Sequence, residues 1–99
     1  MLYVITGKDA RDGLERRKRA RPAHLERALR LVDEGRMAIA GPCPAIDSPD
    51  PGPAGFSGSI IIAEFPSLED ARAWISADPY VTEGVFESWD VRPFIQVLP

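Results

Sequence analysis

Apolar positions along this 99-residue chain recur with two periods, and the switches between them mark the elements. Leu2–Thr6 (LYVIT) is a short, nearly continuous apolar run rich in β-formers, and reads as a buried strand. From Arg11 to Gly35 the pattern becomes helical, interrupted by Pro22. It predicts a short basic helix or turn, then a main helix from about Pro22 to Glu34. Proline suits the first turn of a helix and Gly35 suits its end. On a helical wheel Leu25, Ala28, Leu29, Leu31 and Val32 form one apolar stripe. His24 falls inside that stripe, so the only histidine is expected to face the sheet.

Met37–Ala40 (MAIA) predicts a second strand. Residues 42–58, PCPAIDSPDPGPAGFSG, read as a loop holding five of the ten prolines. A structureless loop of that length in a compact domain points to a lid, a binding loop or a disordered insert. Ser59–Phe65 (SIIIAEF) is β-branched in its middle and reads as a third strand. Ser67 then opens a second helix, for SLED has the form of a capping box with Asp70 three residues on. Leu68, Ala71 and Ile75 are expected to face the core, with Trp74 at the edge of the stripe. Asp78-Pro79 ends this helix, because a residue before proline is held extended or in a turn. Val85–Val97 reads as the last strand, and Pro93 inside it implies an edge position or a bulge. Val85, Trp89, Val91, Ile95 and Val97 share one face of it, and Ser88, Asp90, Arg92 and Gln96 the other.

The order is therefore β-α-β-β-α-β, the ferredoxin-like split arrangement of the α+β class. Such a chain makes one antiparallel sheet with both helices on one face. The opposite face carries apolar residues too, so a second subunit is expected to cover it.

Composition narrows the function. Ninety-nine residues, 44% hydrophobic and 27% charged, suit a single domain spanning 1–99. A net charge of −3 gives no overall attraction for nucleic acid or an anionic membrane. The basic run Arg16, Arg17, Lys18, Arg19 and Arg21 lies beside Asp9, Asp12 and Glu15 without interleaved aromatics, and reads as a solvated helix face. No apolar run approaches the roughly 20 residues of a membrane helix, and MLYVITGKDA lacks the form of a signal peptide. With one cysteine, Cys43, no internal disulfide forms. A soluble cytoplasmic protein is expected, with no nucleic-acid or membrane partner. One histidine and one distant cysteine make a poor transition-metal set, and Asp47 and Asp50 lack calcium-loop spacing, so no metal is expected.

The segments MLYVI, RPAHLERAL (21–29), DEGRMAIAGPCPAIDS (33–48), DPGPAGFSGSIIIAEF (50–65) and ADPYVTEGVFESWDVRPF (77–94) resemble the YciI family (YCII-related domain) nearly end to end. The resemblance implies a subunit of the dimeric α/β-barrel superfamily, whose sheets pair face to face in a homodimer. It also implies catalytic roles for the histidine of RPAH, His24, and the aspartate of ADPY, Asp78. Dehalogenating, lyase-type chemistry occurs among relatives of this family.

A carboxylate bonded to one imidazole nitrogen fixes the tautomer and stabilises the cation formed when the other nitrogen takes a proton. A His24–Asp78 pair is thus a sufficient acid/base device, with no cofactor needed. No nucleophile motif accompanies it, so proton abstraction or elimination fits better than acyl transfer. The substrate expected is a small polar or aromatic organic molecule, handled by lyase- or hydrolase-type chemistry. The same pair also reads as a core histidine satisfied by a structural aspartate, within a non-catalytic ligand-binding or stress-related module. Around it, Arg21 is placed to hold an anionic group and Tyr80 to lend a hydroxyl. Gly41 and Pro42 would bring backbone to the ligand, and Ser59 would hydrogen-bond it where the third strand begins. Each also has a purely structural reading: a salt bridge, packing, a strand end.

Overall fold

The computed structural model describes every residue, Met1–Pro99. Its elements are β1 (Leu2–Asp9), α1 (Leu14–Asp33), β2 (Met37–Pro44), a 3₁₀ turn at Gly52–Ala54, β3 (Phe56–Glu64), α2 (Leu68–Ser76), the one-turn α3 (Pro79–Thr82) and β4 (Phe86–Phe94). The strands form one antiparallel sheet in the order β2-β3-β1-β4. This is the expected ferredoxin-like α+β arrangement. No helix is long and apolar enough to cross a membrane.

Strand alternation explains which residues enter the core. The register sets Tyr3 opposite Ala63 and Ile5 opposite Ile61 and Val91. All five are buried with Ala20 and Leu31 of α1, and Ala71 and Ile75 of α2. The same alternation carries Asp9 to that inner face, where it too is buried. Leu2, Val4, Ile60, Ile62, Ile39 and Phe94 occupy the other face, which no element of the chain covers.

Both edge strands carry prolines, and edges are where a missing N–H is tolerated. Pro93 in β4 is at an edge, as expected. The edge position of β2 also corrects its predicted end: the strand continues through Gly41 and Pro42 to Pro44. With β3 starting at Phe56 rather than Ser59, the connection shrinks to residues 45–55, tied by the Ala45 amide donating to the Gly55 carbonyl at 2.9 Å. The last strand is also shorter than expected. It stops at Phe94, leaving Ile95 and Val97 outside it and exposed.

The larger correction concerns α1. It is one continuous helix running through Pro22. Proline removes one backbone donor, but Pro22 lies on the exposed side, where water can take the freed carbonyl. The buried stripe is accordingly Arg17, Ala20, His24, Ala28 and Leu31, at intervals of three and four. Leu29 and Val32, predicted in the stripe, are 55% and 51% exposed. In α2 the Ser67 cap forms as predicted, its side chain accepting from the Asp70 amide. Ala71 and Ile75 are buried, with Leu68 and Trp74 packed against the core.

Gly58 makes a close approach possible. A Cβ there would fall 2.0 Å from the Gly7 carbonyl oxygen, so no side chain fits between β1 and β3.

Candidate functional site

Helix α1 aims His24 at the end of α2. There the chain turns at Asp78, which is extended as the residue before proline should be, with φ −72° and ψ 142°. Asp78 is the N-cap of α3 rather than a mere stop. Its Oδ2 accepts from the Tyr80 amide at 3.0 Å and from His24 Nδ1 at 2.7 Å. Its Oδ1 accepts from Arg27 Nη1 at 2.7 Å. The carboxylate is wholly buried.

Burial by itself would raise the Asp78 carboxyl. The interaction with His24, the Tyr80 amide and Arg27 outweigh it and hold the group below the usual carboxylate range. An ionised Asp78 has no proton to give, so His24 Nδ1 must be the donor. That fixes the neutral tautomer with the lone pair on Nε2. Nε2 has no partner in the protein. It is also not sealed away, since Arg16 Nε is the only fully buried side-chain polar atom left without one.

His24 opens onto a cleft of about 200 Å³ between α1, β2 and β3. Arg21, Gly41, Pro42, Ser59 and Tyr80 line it as well, so the structure gathers the predicted site residues in one place, with Asp78 directly behind His24. Tyr80 stacks on the His24 ring, centroids 3.8 Å apart and planes 8° from parallel. Burial pushes the Tyr80 phenol up, against the pull of the Arg17 and Arg21 charges. Gly41 contributes backbone only: it pairs with the exposed Ile60, so its missing Cβ would point to the uncovered face of the sheet. The proline-rich connection does not close this cleft. Asp50, Pro51 and Gly52 instead line an adjoining cavity, which shares Arg17, Arg21 and Pro42 with it.

Two arginines escaped the sequence reading. Arg17 was expected on a solvated face, but it is buried, because Asp9 pairs with it through Nε at 2.8 Å and Nη2 at 2.7 Å. Its Nη2 also donates to the Gly58 carbonyl at 3.1 Å and to Ser59 Oγ at 3.0 Å. The spacing 17-20-24-28-31 was visible, but only to a wheel carried across Pro22. Arg27, three residues after His24, shares its side of the helix. It lies 4.5 Å from the Trp74 ring centroid and donates to the Trp74 carbonyl at 2.9 Å. No three of the chain's His, Cys, Asp and Glu side chains stand close enough together to hold a metal ion.

Residues 1–95 match the model of the YCII-related domain. The chain is 60% identical to "Protein YciI" of Escherichia coli O6:H1 over 98 residues, 99% of this chain and 100% of that protein. It is 45% identical, over the same shares of both chains, to an uncharacterized protein of Haemophilus influenzae. Among solved structures it is similar to 5-chloro-2-hydroxyhydroquinone dehydrochlorinase (TftG) from Burkholderia phenoliruptrix AC1100, in complex with 2,5-dihydroxybenzoquinone. The TM-score is 0.83 at 24% identity, over 96% of this chain and 94% of that one. That likeness shows the fold alone.

Proposed function

The chain belongs to the YCII-related domain family, and from that footing we propose that it is a small acid/base enzyme in which His24 moves a proton and Asp78 holds it ready. One observation carries the reading: a histidine with Nδ1 committed to a buried carboxylate and Nε2 free on an open cleft. That arrangement takes a proton from a bound molecule and returns it, with the cation stabilised by Asp78. A sealed structural pair would leave no reason for the open nitrogen.

The substrate is a small organic molecule, for a cleft of about 200 Å³ admits little more than a substituted ring. The ligand and reaction of the structural neighbour make hydroxylated aromatic compounds, halogenated or not, the first to test. Two copies pair through the uncovered sheet face, as the exposed Ile39 and Ile60 there favour burial.

A turnover screen of small carbonyl and phenolic compounds tests the reading. Wild type should convert at least one class, and His24→Ala and Asp78→Asn should each lose about 10²–10⁴-fold in kcat. Variants as active as wild type, or binding that His24 affects with no turnover of any compound, would refute it.

A further inference from the structure

Beside His24, the floor of the cleft is built from polar groups that the acid/base pair does not use. Arg17, Ser59 and Tyr80 are only 5%, 7% and 2% exposed, yet each lines the cleft. Arg17 directs Nε and Nη2 to Asp9, Gly58 and Ser59, and leaves Nη1 without a partner. Ser59 Oγ accepts from Arg17 and its own proton has no acceptor. The Tyr80 hydroxyl lies beside the Arg17 guanidinium and has no other polar neighbour in the protein. Arg17 Nη1 is not among the sealed orphans, so the small exposed part of that residue includes its free donor, and Ser59 and Tyr80 line the cleft beside it.

Geometry ties this cluster to His24. The Tyr80 ring stacks on the His24 ring at 3.8 Å, and the Arg17 guanidinium carbon lies 4.8 Å from the same ring's centroid. A molecule of one ring, resting between α1 and β3, therefore reaches both. The guanidinium is also locked: its bidentate bond to Asp9 fixes the plane, so Nη1 is aimed without the bound molecule having to order it.

We propose that Arg17, with the hydroxyls of Ser59 and Tyr80, forms an oxyanion-binding floor that selects substrates in which negative charge develops on a carbonyl or phenolic oxygen. The proposal rests on the acid/base reading of His24 and names the class of molecule that base would act upon. In the step implied, Nε2 takes a proton from carbon next to a carbonyl. The C–H electron pair becomes a C=C bond, and the carbonyl π pair moves onto oxygen, where the three donors meet it. Return of the proton to another position completes an isomerisation. Loss of a leaving group with its electron pair completes an elimination. Fixed donors aimed where charge develops are strong catalytic devices in water-poor sites. Burial keeps the Tyr80 phenol protonated, so it remains a donor at neutral pH.

The probe is 4-nitrophenol, whose ionised form is read by visible absorbance. Wild type should bind the phenolate about tenfold or more tighter than the phenol, lowering the apparent pKa of bound 4-nitrophenol by about one unit or more. Arg17→Met should remove the preference. Because that variant strands Asp9, Tyr80→Phe and Ser59→Ala provide a milder pair, each expected to reduce the preference several-fold while keeping the fold. Equal binding of both forms by wild type overturns the proposal, as does an undiminished preference in all folded variants. His24→Ala separates the two readings. Phenolate preference kept with turnover lost supports both. Preference absent from wild type, with turnover still dependent on His24, sinks the oxyanion floor alone. Preference present while turnover ignores His24 sinks the acid/base reading alone.

Discussion

Arg27 Nη1 and Asp78 Oδ1 are joined at 2.7 Å, leaving the carboxylate's other oxygen to His24. One buried carboxylate thus serves an arginine and a histidine of the same helix. Arg27→Gln should lower stability by about 1–3 kcal/mol, because it strips a charged hydrogen bond from a group with no access to water. The same variant should turn the His24 side chain less well ordered, seen as broadened imidazole NMR signals, while leaving circular dichroism unchanged.

The pH dependence follows from Asp78. Its carboxyl is held below the ordinary range in the folded chain, so near that range the unfolded chain binds more protons than the folded one. The stabilisation is complete above the unfolded value of about 3.9 and is lost as pH falls through the folded value. Chemical denaturation across pH 2 to 6 should show stability falling at the acid end. Asp78→Asn should flatten that part of the curve at a cost of about 3 kcal/mol at neutral pH.

Asp9 and Arg17 form a buried pair whose partners are each costly alone. Asp9→Ala should destabilise by about 3–5 kcal/mol by leaving the guanidinium uncompensated. Asp9→Leu combined with Arg17→Met should recover most of that loss in urea denaturation, since a matched apolar pair avoids the desolvation of two charges. A double variant no more stable than Asp9→Ala would count against the pairing.

The uncovered sheet face places Ile39 and Ile62 side by side on adjacent strands. Ile39→Lys with Ile62→Lys sets two like charges on that face. Sedimentation equilibrium should give dimer mass for wild type and monomer mass for the variant. Equal masses would rule out pairing through this face.

The architecture was legible because its signals are local. LYVIT and SIIIAEF are β-branched runs, SLED is a self-contained cap, and Asp78-Pro79 restricts its own backbone. The inward turn of His24 followed from spacing alone. Misreadings arose where a local rule met a tertiary exception. Pro22 and Pro42 look like breaks in sequence, but one lies on a solvent-facing side and the other on an edge strand, where a missing donor costs little.

The candidate site divides along the same line. Residue types and spacing, joined to family resemblance, singled out His24, Asp78, Arg21, Gly41, Pro42, Ser59 and Tyr80, because each sits in a recognisable local motif. That Arg17 leaves the basic run to be buried against Asp9 and Ser59, and that Arg27 shares Asp78 with His24, was decided only by tertiary structure. Burying an arginine depends on a carboxylate and carbonyls from other strands arriving at its donors. No pattern within one helix records which strands those will be.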